Sequence, residues 1–228
     1  MDKTIVITGG GQGLGKAIAT RLAPHEQVII LDHKEDIVKP TAEKLNCQYK
    51  VCDITQPEII KTTVGEIIAD KGKIDVLVNN AGIWIQGLLE EGNDERIQEV
   101  FAVNCVGAIL MTKYVLPHMK EKNSGTVIDI VSQAGITAKS ERSIYNCSKW
   151  AMTGFTKCLQ EELSGTNIRI IGIYPGLMKT NLFKNAGAER DDLEKALNPD
   201  ELAKTIEFIL TLDDTTSFPE LGIKNIKY

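Results

Sequence analysis

The chain has 228 residues, 43% of them hydrophobic, and a formal net charge of −5 at pH 7. That length buries a substantial core without metal or disulfide staples, and the acidic balance excludes a general binder of nucleic acid or of anionic membrane. Five cysteines (Cys47, Cys52, Cys105, Cys147 and Cys158) form no Cys-x-x-Cys pair and read mostly as buried free thiols in a reducing cytosol. Met1-Asp2-Lys3 leads directly into a strand pattern, leaving no space for a signal peptide, and no apolar run reads as long enough to span a bilayer. A soluble cytoplasmic protein is expected.

In chain order, Thr4–Thr8 is a β-branched run closed by glycines, followed by a helical pattern from Leu14 to Leu22. Gln27–Asp32 is a second strand. A weaker helix, started or interrupted by Pro40, precedes a third strand at Gln48–Cys52. Pro57 suits the first turn of a helix reaching Ala69, and Asp75–Asn79 is the fourth strand. A long helix spans Asp94 to Lys120, with Val100, Val103, Asn104 and Gly107 at helical spacing. The fifth strand, Thr126–Val131, leads to Ser132, and the next helix carries Tyr145 and runs to Leu163. Asn167–Tyr174 is a sixth strand, Glu201–Leu210 a helix, and Gly222–Ile226 a short last strand. Short apolar runs alternating with longer amphipathic segments predict an α/β fold. The expected architecture is a doubly wound Rossmann fold, a mainly parallel seven-stranded sheet with helices on both faces, as a single domain over residues 1–228. The irregular segment from Asn181 to Asn198 falls beyond the strand ends and reads as a lid.

Gly9, Gly13 and Gly15 stand after the first strand and open the first helix. Glycine there permits a tight turn and lets backbone amides approach a pyrophosphate at the helix N-terminus. Asp32 ends the second strand, near where an acid would accept hydrogen bonds from an adenosine ribose and repel a 2′-phosphate. Asp53 is placed to receive an adenine amino group, with the Ile54 amide on a ring nitrogen; a turn aspartate is the plainer alternative. Further along, Tyr145 and Lys149 are four residues apart, one turn on a helix face, and Ser132 lies thirteen before Tyr145. A phenol, a cation and a hydroxyl at this spacing suit proton transfer at an oxygen held over a cofactor. Each residue alone reads as packing, an exposed charge or a helix cap.

Taken together, Thr8-Gly9-x-x-x-Gly13-x-Gly15, Asp53, Asn79-Asn80-Ala81-Gly82, Asn104, Ser132, Tyr145-x-x-x-Lys149 and Pro175-Gly176-x-x-x-Thr180 resemble the short-chain dehydrogenase/reductase family in order and spacing, from about residue 4 to about 180. The resemblance implies catalytic roles for Asn104, Ser132, Tyr145 and Lys149, with Asn104 holding a water that links Lys149 to solvent. It implies cofactor contacts from Gly9, Gln12, Gly13, Leu14, Gly15, Asp32, Asp53, Ile54, Asn80, Ala81, Gly82, Tyr145, Lys149, Pro175, Gly176 and Thr180. In this family a basic residue at position 12 or just after the second strand favours NADP; here Gln12 and His33 stand there, so NAD is expected over NADP. The C-terminal stretch Glu220–Tyr228 lacks the family's common glycine-pair ending, which touches its usual tetramer contacts.

The expected activity is NAD(P)-dependent interconversion of a secondary alcohol and a ketone, with the Tyr145 pKa lowered from about 10 by Lys149 and the oxidised nicotinamide. A cofactor-binding redox sensor and an epimerase or isomerase on the same fold are the alternatives. No metal is expected, since His25, His33 and His118 are scattered. Trp84 lines the substrate pocket or packs there, and Trp150 packs on its helix. Ile85, Gln133, Ile136, Leu177, Met178 and Phe183 lie where a substrate would enter and suggest an uncharged or partly apolar one. A homodimer or homotetramer is expected, through an outward stripe including Ile109, Tyr114, Phe155 and Leu159.

Overall fold

The structure, a computed structural model, describes residues 2–227; Met1 and Tyr228, the ends of the expected single unit, lie outside the described residues. The strands are β1 (Thr4–Thr8), β2 (Gln27–Asp32), β3 (Gln48–Val51), β4 (Val76–Asn79), β5 (Gly125–Ile130), β6 (Ile168–Pro175) and β7 (Glu220–Ile223). Between them come α1 (Gly13–Leu22), α2 (Glu35–Leu45), α3 (Pro57–Lys71), α4 (Asp94–Phe101), α5 (Ala108–Lys122), α6 (Ser143–Glu162), α7 (Leu182–Asn185) and α8 (Pro199–Thr211). The sheet order is β3-β2-β1-β4-β5-β6-β7 and every pairing is parallel. The chain winds outward from β1 to β3, then crosses back to place β4 on the other side of β1. That reversal opens a crevice beyond the carboxyl ends of β1 and β4.

Strand periodicity divides the core into two layers. Ile5, Ile7, Val28, Ile30, Ile128 and Ile171 face α1 and α8, whose Ile18, Leu22, Leu202 and Ile206 cover them. Val6, Ile29, Leu31, Leu77, Val127 and Ile170 face the opposite way, onto Ile60, Val64, Met111, Val115 and Leu159. The five inner strands are dry on both faces, which is why they read as near-continuous apolar runs, whereas the edge strands β3 and β7 are half-exposed.

Several expectations change. α2 runs through Pro40 without a break, because Pro40 sits on the exposed side, where water serves the carbonyl that loses its amide partner. β7 begins two residues earlier than expected, in register with Gly172–Pro175, while Asn225 turns away to donate to the Ala196 carbonyl at 3.4 Å. The long helix is not uniformly α: Ala102–Gly107 is wound as a π-helix between α4 and α5. By length and composition alone the run from Asp94 to Lys122 suffices to cross a membrane, contrary to the sequence reading; here Val100 is buried and Met111, Val115 and Met119 pack in the core layer under the sheet. Leu159 is buried in the sheet-facing core rather than outward, and Trp150 is 51% exposed. Cys147 and Cys158 are exposed, while burial raises the thiol pKa of Cys47, Cys52 and Cys105.

Candidate active site

A cavity of about 680 Å³ occupies the crevice. Its floor is the loop from β1 to α1. Gly9 and Gly13 have φ of +62° and +54°, a conformation that L side chains rarely adopt. Gly15 answers to space instead: a Cβ there would lie 2.3 Å from the Gly9 carbonyl oxygen. Gln12 caps α1 without a side-chain bond, and no acid stands in the first turn. Among the described residues no capping side chain or first-turn acid answers the helix's positive end, which leaves it open to an anion. Asn80 locks this loop to β4, its amide donating to the Thr8 and Gly9 carbonyls at 2.8 and 3.1 Å. The Thr8 hydroxyl accepts from the Asn80 and Ala81 amides in return.

Asp32 is buried at the end of β2 and lines the cavity. Its Oδ2 accepts from the Gly11 amide at 3.3 Å, and its Oδ1 lies 3.1 Å from His33 Nδ1. Asp53 and Ile54 line the same wall, but Asp53 Oδ1 accepts from both the amide and hydroxyl of Thr55, so the plainer turn role is also present. Gln12, Leu14, Ala81, Gly82, Pro175, Gly176 and Thr180 all reach the cavity. Thr180 sits against Gly13, its Cβ 3.6 Å from where a Cβ would stand on that glycine, so the segment after β6 meets the β1–α1 loop. Only Gly15 and Asn104, among the expected residues, lie just behind the lining. A nicotinamide dinucleotide fits these residues: an open helix terminus, a glycine cradle and a buried acid at the second strand.

The reacting end is built from β5, α6 and the π-wound stretch. Ser132 follows β5 with φ +148° and ψ 157°, a region strained for any residue but glycine. Its Oγ accepts from the Ala134 amide at 3.1 Å, so it caps a short turn while its hydroxyl faces the Tyr145 phenol. Lys149, one turn beyond Tyr145 on α6, is buried and donates to the Ile130 carbonyl at 3.0 Å. Asn104 clips the chain after Gly82: Oδ1 accepts from the Ile83 amide at 2.7 Å, and Nδ2 donates to the Ile83 carbonyl at 2.9 Å and to Ser148 at 3.2 Å. The π winding aims Asn104 there, and such insertions recur at functional sites.

The electrostatics differ from the sequence expectation. Burial pushes the Tyr145 phenol up to about 12, opposed first by Ser132 and then by the nearby Arg142 guanidinium. Burial also pulls Lys149 down to about 8, with Asp129 and Cys105 acting the other way. The groups that oppose burial at Tyr145 are Ser132 and Arg142, while the Lys149 ammonium donates to the Ile130 carbonyl.

Trp84 is buried and lines the cavity, its ring centroid 4.3 Å from Tyr145 and 4.9 Å from Phe183. The segment after β6 folds over these rings, with Phe183 and Ala196 packing beside Leu177. Gln133, Leu177 and Met178 reach the cavity as expected, Ile85 packs beside it, and Ile136 is exposed. Sequence reasoning missed the basic side chains Arg96, Lys139, Arg142 and Arg190 on this wall. Only Arg142 carried a signal, standing three residues before Tyr145, where it is the N-cap residue of α6. It also missed Asp129, fully buried under the site, which accepts from Asn79 at 2.8 Å and Thr156 at 2.7 Å and whose carboxyl is raised by burial.

This fold and crevice define an NAD(P)-binding oxidoreductase of Rossmann type. The short chain dehydrogenase model matches residues 3–191, and the chain belongs to the short-chain dehydrogenase/reductase family. It is 32% identical to carbonyl reductase family member 4 of Xenopus tropicalis, over 92% of both chains. It is also 32% identical to trans-4-hydroxycyclohexanecarboxylate dehydrogenase of Sinomonas cyclohexanicum, over 95% of this chain and 88% of that one. Among solved structures, a closed serine dehydrogenase with NADP+ superposes with TM-score 0.92 at 26% identity, covering 99% of this chain and 96% of that one. A 3-ketoacyl-(acyl-carrier-protein) reductase from Brucella melitensis with NADH gives 0.91 at 25%, covering 99% and 98%.

Proposed function

We propose that the protein interconverts a secondary alcohol and its ketone with NAD as the preferred cofactor. The observation that carries this reading is the facing pair of Ser132 and Tyr145 hydroxyls at the mouth of the nucleotide crevice. When bound, the reduced nicotinamide supplies a hydride to a carbonyl carbon, and the oxidised form takes one from a carbinol. In reduction the Tyr145 phenol gives its proton to the carbonyl oxygen; in oxidation the phenolate takes the alcohol proton. Ser132 donates to that oxygen as charge develops, from a backbone held in place by its own cap. Lys149 would hold the nicotinamide ribose and, through Asn104 and water, restore the proton to Tyr145. A redox sensor needs no acid–base phenol, so the Ser–Tyr–Lys set favours an enzyme.

The NAD preference rests on Asp32, whose buried carboxylate lines the ribose end of the crevice and would repel a 2′-phosphate. Gln12 adds no compensating charge, although Lys34 lines the same wall. Structures of relatives hold either NADP+ or NADH, so the carboxylate is the discriminating group. The test pairs calorimetric titration of both cofactors with a ketone screen followed at the reduced-nicotinamide absorbance. NADH should bind more tightly and support net turnover, and Asp32→Ala should narrow the gap. Equal or tighter NADPH binding overturns the preference; turnover of no ketone or alcohol overturns the oxidoreductase reading.

A further inference from the structure

The substrate half of the crevice carries mainly one sign of charge. Arg96, Lys139, Arg142 and Arg190 line it, against Glu99 as its acid. Arg96 is paired with Glu99, and Arg190 holds Asp192 through two nitrogens. Arg142 differs. Among the described residues it has no ion pair, and its guanidinium lies over the Trp84 ring, 5.1 Å from the centroid. Asp192 faces it at longer range but is committed to Arg190.

Trp84 in turn packs against Tyr145 with its ring tilted by 54°, which places the guanidinium one aromatic ring away from the phenol. Between them the wall is apolar, made by Trp84, Leu177 and Phe183. The Trp84 indole N–H is buried with no partner, a second donor still in want of an acceptor. A planar fork of donors on an aromatic face, with no carboxylate of its own, matches a carboxylate bidentately. Chain position agrees: Arg142 is the N-cap residue of α6, three residues before Tyr145, and both line the same cavity.

We infer that Arg142 anchors the carboxylate of a small hydroxy or oxo acid, whose short apolar body lies on Trp84 and Phe183 and presents its carbonyl to Tyr145. The inference rests on and deepens the alcohol–ketone reading; of the substrate expected from sequence, uncharged or partly apolar, it takes the second form and adds a charged end. It adds no chemical step; Arg142 binds the end of the substrate that does not react.

Two matched probe pairs test it: 4-oxopentanoate and 4-oxocyclohexanecarboxylate, each beside its methyl ester, reduced at saturating NADH. Wild type should favour each acid at least tenfold in kcat/KM. Arg142→Met, which keeps an unbranched apolar stem and removes the guanidinium, should remove that preference through KM, and Arg142→Lys should keep part of it. Loss of the charge near Tyr145 moves the rates of acid and ester together, so the ratio is the readout. A second measurement is independent of turnover: calorimetric binding of cyclohexanecarboxylate, which has nothing to reduce, to the enzyme with NADH. A tenfold weakening in Arg142→Met supports the anchor even if no ketone is reduced, in which case only the oxidoreductase reading fails. Equal binding to wild type and Arg142→Met, or an acid-to-ester ratio the substitution does not move, overturns the anchor while ester turnover leaves that reading standing.

Discussion

Tyr145 sits in a dry aromatic corner that favours its neutral form, and the neutral form is the proton donor that reduction needs. Tyr145→Phe keeps the ring against Trp84 and removes only the hydroxyl. Turnover should fall by about a thousandfold, within the usual worth of a positioned acid–base, with cofactor affinity and melting temperature retained. A folded, cofactor-binding variant within tenfold of wild type would show that another group moves the proton. Lys149 carries the opposite penalty. Its pKa is about 8 in the fold and 10.5 as the ordinary value, so between those values the unfolded chain binds more protons and stability rises with pH. Below pH 8 the buried ammonium costs up to roughly 3 kcal/mol. Lys149→Met should therefore melt higher than wild type at pH 7, with the advantage shrinking as pH climbs from 8 towards 10.5, while activity is lost. A variant less stable than wild type at pH 7 would mean that the bond to Ile130 outweighs burial. At this scale the sequence showed identities and spacing, hence Ser132, Tyr145 and Lys149. It could not show where the ammonium points or that Arg142 stands over Trp84, because both follow from how β4, β5 and α6 converge.

Among the elements, the turn from β1 into α1 is the most demanding. A methyl group on Gly15 would meet backbone, the Gly9 carbonyl at 2.3 Å and the Gly10 Cα at 3.0 Å, and neither can rotate aside. Gly15→Ala should open the turn, weaken cofactor binding at least tenfold and lower the melting temperature, as calorimetry and thermal unfolding would record. Gly65, exposed on α3 with nothing within 4 Å of an added Cβ, is the control. Gly65→Ala should stabilise by about 0.5–1 kcal/mol through helix propensity alone. Equal losses at both positions would remove the steric argument. These glycines were legible because a tight turn leaves a compositional mark. The π-wound stretch from Ala102 to Gly107 was not, since one extra residue per turn barely disturbs an apolar period and only the Asn104–Ile83 clip reveals it. β7 was misplaced for a similar reason: its register is set by pairing with β6 rather than by its own short pattern.

For the whole molecule, the outer face of α6 points to self-association. Cys147, Trp150, Ala151, Gly154 and Cys158 recur at helical spacing, and all are exposed and uncharged. Trp150 is 51% exposed, and an added Cβ at Gly154 would meet nothing within 4 Å. Val106, 48% exposed, adds a second apolar point on the neighbouring π-wound stretch. The stripe expected from sequence was rotated from this one, because Leu159 belongs to the layer under the sheet and leaves the small residues outside. Small residues let two helices approach closely, and a large indole beside them offers area to bury, so we propose that two copies of α6 pack face to face in a two-fold interface. The chain should sediment as a dimer or larger at micromolar concentration. Trp150→Arg places a charge at the centre of the packed face, where burial without a partner costs several kcal/mol. It should shift the species to monomer while leaving the circular dichroism spectrum and cofactor affinity unchanged. Should wild type sediment as a monomer across this range, or Trp150→Arg remain the same size, the face serves no contact between copies.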